Sequence, residues 1–141
     1  MKYKVLISTV GTGSRLKKYS KYFNKSLITI NNKPVISHII DTFDIKTKFV
    51  IALGYKSKQV KDYLKIAHVK NSFKFVDIKN FNGPGSGLKH TLICCQSFLQ
   101  LPFIFVSCDS YFKDKLPPPN KNWIAYSTSD NLNDYRSINL K

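Results

Sequence analysis

The chain has 141 residues, 43% of them apolar, which is enough for one domain with a hydrophobic core and too few for two. Its apolar runs are far shorter than a membrane span, so we expect no membrane partner. The net charge is +15, because 23 Lys and Arg residues face only eight acidic residues, all of them Asp. This excess favours an anionic partner, but no nucleic-acid-binding motif accompanies it, so we do not expect DNA or RNA binding.

The first predicted strand leads into a glycine-rich turn. The apolar residues 5–7 predict a buried strand. The turn that follows could bring backbone N–H groups close to phosphates, because glycines place no Cβ in the way. Its residues are Gly11, Thr12, Gly13 and Ser14, and Arg15 and Lys25 would add two cations. The spacing matches neither the Gly-Lys-Ser/Thr phosphate loop nor the dinucleotide fingerprint, and a plain strand-to-helix turn with a solvated Arg is the alternative.

The middle of the chain predicts helices around a second buried strand. Residues 15–22 predict a short basic helix, and residues 26–30 predict an extended segment. Pro34 suits the first turn of the next helix, in which apolar residues recur at helical spacing up to Phe43. The apolar run 49–53 predicts a strand buried on both faces. Ser57 is the predicted N-cap of the helix after it.

The second half of the chain predicts three more strands. Residues 73–78 predict a strand and residues 79–87 a glycine-rich loop. A helix follows, with Leu88, Leu92, Cys95 and Leu99 aligned on one side. Residues 103–106 predict a strand, the three prolines at 117–119 predict a loop, and residues 123–126 predict a last strand. Residues 130–141 are polar and weakly patterned.

The order of these elements predicts the fold class. Strands and helices alternate, which predicts an α/β three-layer sandwich with a mostly parallel central sheet. In such sheets ligands bind at the carboxyl ends of the strands. The turn 11–15, the Gly54–Tyr55 corner, the loop 83–87 and Asp109 all follow strands. We therefore expect them to gather along one edge of the sheet.

Asp109 is the candidate metal ligand at that edge. A Mg²⁺ ion bound to phosphates needs only one or two protein carboxylates, because phosphate oxygens and water fill the other positions. A helix N-cap or turn aspartate is the alternative role. The loop that contains Gly83, Gly85 and Ser86 could lie against a flat base, or it could be a plain connection.

Four blocks of sequence occur in an order and at a spacing typical of one enzyme family. They are GTGSRL with the later NKSL, KPVISHII, VIALGYKSKQVKDYL, and GPGSGL followed by PFIFVSCDS. The chain thereby resembles the nucleotidyltransferases that join a nucleoside triphosphate to a sugar 1-phosphate or to a small phospho-alcohol such as phosphocholine. The resemblance covers about three-quarters of the chain. It implies a Rossmann-like, glycosyltransferase-A-like nucleotide-binding fold.

The resemblance also implies a role for each candidate residue. The triphosphate would be wrapped by Gly11, Thr12, Gly13 and Ser14, and the base would be selected by Gly83, Gly85 and Ser86. Arg15 would steady the leaving pyrophosphate, Lys25 would reach the reacting phosphate, and Asp109 would hold Mg²⁺. The implied reaction is attack of an acceptor phosphate oxygen on the α-phosphorus of the nucleotide, with release of pyrophosphate.

The chain departs from the family pattern in three places. Thr9 and Val10 stand where small residues are usual, and Asn24 stands where a proline often precedes the lysine. The family's fold also usually continues for roughly a hundred residues more. We therefore expect residues 1–141 to be a single nucleotide-binding domain that lacks the acceptor-binding part. The chain would then be a fragment of a longer enzyme or a short relative with altered activity. A binding module that holds a nucleotide or a protein without turnover is the alternative.

Two further expectations concern the setting of the protein. The N-terminus lacks the apolar core of a signal peptide, so we expect a cytoplasmic protein. The three cysteines form no CxxC pair, which favours reduced thiols over a zinc site. Self-association is left open, because a truncated sheet could expose an edge strand or an apolar patch.

Overall fold

The computed structural model describes residues 1–16, 18–128 and 130. Six strands and four α-helices follow one another along the described chain. In order they are β1 (Lys4–Ser8), α1 (Lys18–Tyr22), β2 (Thr29–Ile30), β3 (Lys33–Pro34), α2 (Val35–Asp41), β4 (Lys48–Leu53), α3 (Ser57–Ala67), β5 (Ser72–Asp77), α4 (Leu88–Cys95) and β6 (Phe103–Ser107). Short 3-10 turns cover Ser14–Leu16, Lys25–Leu27 and Gln96–Phe98.

The central sheet is parallel and has the strand order β5-β4-β1-β6. Strand β1 lies inside the sheet, where Leu6 is in register with Val50 of β4 on one side and with Phe105 of β6 on the other. Strands β2 and β3 form a separate antiparallel pair. Because all four strands of the main sheet run the same way, their carboxyl ends meet at one edge.

Helices cover both faces of the sheet, so the predicted three-layer α/β sandwich is confirmed. Successive side chains of a strand point to opposite faces. Val5 and Ile7 therefore pack on the face covered by α2 and α3, and Leu6 packs on the face covered by α4. All three are fully buried. Burying a side chain of this size contributes roughly 1.5–3 kcal/mol, so an apolar run of this kind favours a central strand.

The strand predicted at residues 123–126 is wrong. Residues 108–128, all of them described, contain no strand. A strand requires a hydrogen-bonded neighbour, whereas residues 121–127 lie across a cavity from β6, the last strand of the sheet. Trp123 instead packs against the core face of α2 and α3, and its indole N–H donates to the Pro118 carbonyl oxygen at 3.3 Å. The segment 131–141, predicted to be weakly patterned, lies outside the described residues.

Several predicted element ends are also corrected. Lys56, in a left-handed conformation with φ 51°, is the N-cap of α3, and Ser57 is its first residue. The predicted extended segment at 26–30 begins with a 3-10 turn and is a strand only at β2. The helix predicted up to Leu99 ends at Cys95 and continues as a 3-10 turn. Leu88, at its start, is 41% exposed because it lies at the rim of a cleft.

Within the described residues, no helix combines the length and the apolar character that crossing a membrane requires.

Candidate active site

A cleft of about 470 Å³ opens at the carboxyl edge of the sheet, between the glycine-rich turn after β1 and the loop before α4. Among its lining residues are three of the predicted site residues, Gly11, Lys25 and Ser86. The remaining lining residues are Ser8, Val10, Phe81, Gly87, Leu88, Thr91, Phe105 and Ser107. The turn after β1 and the loop 83–87, both predicted to lie at this edge, therefore meet at the cleft.

Gly13 allows the turn to rest directly on Lys25. Its φ of +67° is in the left-handed region, where glycine is favoured, and its carbonyl oxygen accepts the Leu16 N–H at 2.9 Å. A Cβ built at this position would lie 3.3 Å from Cβ of Lys25. A side chain at position 13 would therefore press on the Cβ of Lys25 and displace its side chain.

Gly54 brings the exits of β1 and β4 together. The Tyr55 N–H donates to the Val10 carbonyl oxygen at 3.0 Å, and a Cβ at Gly54 would lie only 2.6 Å from that same oxygen. The absence of a side chain at position 54 thus permits the close contact. The hydrogen bond between Tyr55 and Val10 thereby ties the start of the glycine-rich turn to the corner after β4.

Lys25 and Asp109, 84 residues apart, form an ion pair at this edge. The Lys25 ammonium nitrogen lies 2.9 Å from Oδ2 of Asp109, and the Ser107 hydroxyl donates to Oδ1. Burial would raise the pKa of Asp109. The hydrogen bonds from Ser107 and Lys25, with the Lys25 charge, outweigh burial, so the pKa is lowered from its ordinary 3.8. The carboxyl group is therefore ionised at neutral pH.

A larger cavity of about 1310 Å³ lies on the other side of this ion pair. Arg15 and Asp109 both line it, together with all of β6 and with residues 121–127. Phe105 and Ser107 line both cavities, so the two spaces adjoin. Lys25 faces the smaller one and Asp109 the larger one, which places their ion pair at the junction.

The structure does not bring every predicted site residue to a cavity. Thr12, Gly13, Ser14, Gly83 and Gly85 are all described and are not among the lining residues of either cavity. The Ser86 hydroxyl donates to the Gly83 carbonyl oxygen at 2.7 Å, which shapes the loop. The structure therefore brings Gly11, Arg15, Lys25, Ser86 and Asp109 to the two cavities.

Two of the three cysteines, Cys95 and Cys108, are poorly suited to act as nucleophiles. All three are free, and Cys95 and Cys108 are fully buried. Burial raises the pKa of Cys108 to about 12, although the Lys25 charge opposes the shift, and burial raises the pKa of Cys95 to about 11. Both are thiols at neutral pH, and the thiol is a poor nucleophile compared with the thiolate.

A metal ion at this edge would need ligands from the substrate. Within residues 1–16, 18–128 and 130, no group of three or more His, Cys, Asp or Glu side chains is arranged to hold a metal. Asp109 offers one carboxylate, which fits a Mg²⁺ ion that keeps water and phosphate oxygens as its other ligands.

Sequence reasoning did not assign a role to Asn24 or Ser107. In the sequence, Asn24 is only a departure from the expected proline. Asn is a common capping residue at the start of a helical turn, so its position before Lys25 is a signal from which a capping role could be predicted. Ser107 lies two residues before Asp109 at the end of β6. No local pattern separates it from other strand-end serines.

The fold is a parallel α/β sheet covered by helices, with two adjoining cavities at its carboxyl edge. No protein-family model matches the chain. Two curated relatives are similar over most of it. One is the bifunctional protein GlmU of Methanococcus maripaludis, 26% identical over 96% of the chain. The other is the D-glycero-alpha-D-manno-heptose 1-phosphate guanylyltransferase of Campylobacter jejuni, 24% identical over 92% of the chain. The chain spans 32% and 60% of their respective lengths.

Solved structures show the same fold. The CTP:phosphocholine cytidylyltransferase LicC of Streptococcus pneumoniae superposes with a TM-score of 0.65 at 20% identity. The match covers 86% of this chain and 51% of LicC. The resemblance to sugar-phosphate and phosphocholine nucleotidyltransferases is thereby confirmed. The Rossmann-like, glycosyltransferase-A-like fold is confirmed with it.

Proposed function

We propose that this chain is the nucleotide-binding part of a Mg²⁺-dependent nucleotidyltransferase. The enzyme would transfer a nucleoside monophosphate from a nucleoside triphosphate to a sugar 1-phosphate or a small phospho-alcohol. The observation that supports this most directly is the Lys25–Asp109 pair at the junction of two cavities, with Arg15 lining the larger one. Two substrates could meet at such a junction, one from each side.

The nucleotide is assigned to the smaller cleft. Gly11, Ser86 and Lys25 all line it, so backbone from the turn and the loop and one cation border the same space. The acceptor is assigned to the larger cavity. Arg15 also lines that cavity, and its positive charge would steady the leaving pyrophosphate. Holding two anionic reactants in line lowers the barrier mainly by orientation and charge neutralisation, and little covalent chemistry is asked of the side chains.

Asp109 would hold the Mg²⁺ ion. When bound, the ion neutralises phosphate charge and polarises the P–O bonds. Both carboxylate oxygens of Asp109 already accept a hydrogen bond, but each carboxylate oxygen has a second lone pair. Ser107 and Lys25 therefore orient the carboxylate without occupying all of its acceptor positions.

We place this activity in the cytoplasm, because three free thiols are typical of a reducing compartment. The identity of the acceptor belongs to the proposal as well, because the chain spans less than two thirds of the length of its curated relatives.

Pyrophosphate release tests the proposal. The chain is mixed with Mg²⁺ and each of CTP, UTP, dTTP, GTP and ATP, with phosphocholine or glucose 1-phosphate as acceptor. We expect one nucleotide to support release, and Asp109→Asn to reduce it about hundredfold or more, since one group that neutralises transferring charge is worth that much. Asp114→Asn is the matched control, because Asp114 is exposed and lines neither cavity.

A binding module without turnover is the second candidate. It requires only the cleft at the carboxyl edge of the sheet and no second substrate. It predicts a nucleotide-dependent rise in the melting temperature, with stabilisation of about 2.7 kcal/mol at a hundredfold excess over Kd, and no pyrophosphate with any acceptor. Absence of both stabilisation and pyrophosphate would reject both candidates.

A further inference from the structure

Asn24 is fully buried, and every hydrogen-bonding group of its side chain is used. Its amide nitrogen donates to the carbonyl oxygens of Thr9 at 2.9 Å and Tyr55 at 2.6 Å. Its amide oxygen accepts the N–H and the hydroxyl of Ser26 at 3.0 and 2.8 Å. An Asn amide has two N–H donors, so neither is left without a partner.

The main chain of Asn24 is anchored as well. Its N–H donates to Oε1 of Gln59 on α3 at 3.1 Å, and its carbonyl oxygen accepts the Leu27 N–H at 3.0 Å. Asn24 is thus the N-cap of the 3-10 turn Lys25–Leu27. The residues on both sides of Lys25, Asn24 and Ser26, are completely buried.

The three groups that Asn24 joins come from different parts of the site. Thr9 belongs to the exit of β1 that leads into the glycine-rich turn, and Tyr55 belongs to the corner after β4. Gln59 belongs to α3. Asn24 therefore fixes the start of the Lys25 turn relative to both strand exits.

The ion pair with Asp109 does not explain the position of Lys25. The Asp109 side chain is 56% exposed, and water weakens an ion pair that is open to solvent. The hydrogen bonds of Asn24 are shielded from water, so they hold their geometry more firmly.

We propose that Asn24 is a positioning residue that fixes Lys25 at the junction of the two cavities. Its effect on catalysis rests on the proposed function, whereas its effect on the Lys25 side chain does not. A proline at this position, as in the family pattern, would lack both the side-chain amide and the N–H that binds Gln59. This chain therefore positions the lysine by a buried hydrogen-bond network.

The first test observes Lys25 itself. The side-chain ammonium groups of the lysines are recorded by ¹H–¹⁵N NMR, and the Lys25 signal is assigned by its loss in Lys25→Arg. We expect a resolved signal in the wild type, because the Lys25 side chain is only 20% exposed and is held between two buried neighbours, which slows proton exchange with water. Asn24→Ala should broaden or abolish it. Ser37→Ala is the matched control, because Ser37 is also buried and doubly hydrogen-bonded, to Tyr63 and His68, away from the site.

The second test measures pyrophosphate release. Asn24→Ala should lower kcat roughly tenfold to hundredfold, as expected when a reacting group is misplaced, and change KM for the nucleotide less than about twofold. The double variant Asn24→Ala/Lys25→Ala should be no slower than Lys25→Ala alone, because Asn24 acts through Lys25. Ser37→Ala should keep the wild-type kcat.

The outcomes separate the two proposals. An unchanged Lys25 signal in Asn24→Ala, an equal loss in Ser37→Ala, or additive effects in the double variant would overturn the positioning role. A wild type that releases no pyrophosphate would reject the proposed function and leave the NMR comparison to decide the role of Asn24. If Asn24→Ala does not fold, Asn24→Ser keeps a capping oxygen, loses the amide donors, and should show the same loss of signal.

Discussion

At the scale of single residues, the site depends on backbone positions as much as on charged side chains. Gly13 and Gly54 each lie where a Cβ would meet a neighbour, at 3.3 Å from Lys25 Cβ and at 2.6 Å from the Val10 carbonyl oxygen. Asn24 contributes hydrogen bonds rather than charge. Gly13 lies against the segment that bears Lys25 and Asn24 anchors it, whereas Asp109 follows β6.

Gly13→Ala should destabilise the protein by about 1–2 kcal/mol. Alanine is strained at a φ of +67°, and its methyl group would also press on Lys25. Urea denaturation measures the change in the free energy of unfolding. Gly11→Ala is the control, because nothing lies within 4 Å of a Cβ built there and its φ is not positive. Equal stability losses in the two variants would contradict this account.

At the scale of elements, a polar cluster joins α2 to the end of α3. The Ser37 hydroxyl lies 2.6 Å from the Tyr63 hydroxyl and 2.7 Å from Nε2 of His68, and Nδ1 of His68 lies 4.0 Å from the Asp41 carboxylate. Burial lowers the pKa of His68 from 6.5, although the Asp41 charge opposes the shift. The cluster is therefore built around a neutral imidazole.

The stability of this cluster should depend on pH in one direction. Just below pH 6.5 the unfolded chain binds a proton at His68 more readily than the folded chain, because the folded pKa is the lower one. The contribution of His68 is therefore complete above pH 6.5 and declines as the pH falls through that value. In denaturation at about pH 7.5 and about pH 5.5, the stability difference between wild type and His68→Gln should shrink at the lower pH. A difference that stays constant or grows would exclude this effect.

At the scale of the whole molecule, the net positive charge and the direction of the parallel strands both favour binding of an anion at the carboxyl edge of the sheet. The net charge is +15, and the carboxyl edge of the sheet presents Arg15 and Lys25 beside the single carboxylate of Asp109. Long-range attraction from such a surface raises the rate at which a polyanion arrives. At the same edge, Gly11 of the turn and Ser86 of the loop line the smaller cleft.

Raising the salt concentration should weaken nucleotide binding. Between about 50 and about 200 mM NaCl we expect the Kd of the nucleoside triphosphate to rise severalfold, up to about tenfold, because mobile ions screen the charge that attracts it. Calorimetric titration measures this change, and the matching uncharged nucleoside is the control. A Kd that is independent of salt would show that the dispersed lysines do not contribute to binding.

Most of the fold and the main site residues could be predicted from the sequence. Apolar runs and helical spacing are local patterns, and they identified the four strands of the sheet to within one residue at each end. The rule that ligands bind where parallel strands end then pointed to the turn 11–15 and to Asp109 without coordinates. Lys25 follows no strand, and only its nearness to the turn and the family resemblance suggested it. The false strand at 123–126 shows the limit, because an apolar run predicts a strand only if a neighbouring strand is free to pair with it.

The sequence by itself determined the layered α/β architecture, the excess of positive charge, and the ligand edge of the sheet. Only the tertiary structure decided that Lys25 meets Asp109 across 84 residues, and that Asn24 binds Thr9, Tyr55 and Gln59. The physical reason is the separation along the sequence over which each kind of interaction acts. Hydrophobic periodicity acts over a few residues and is visible in the chain. The partner of a buried polar group is set by which distant segments packing brings within about 3 Å, and no local pattern records that distance.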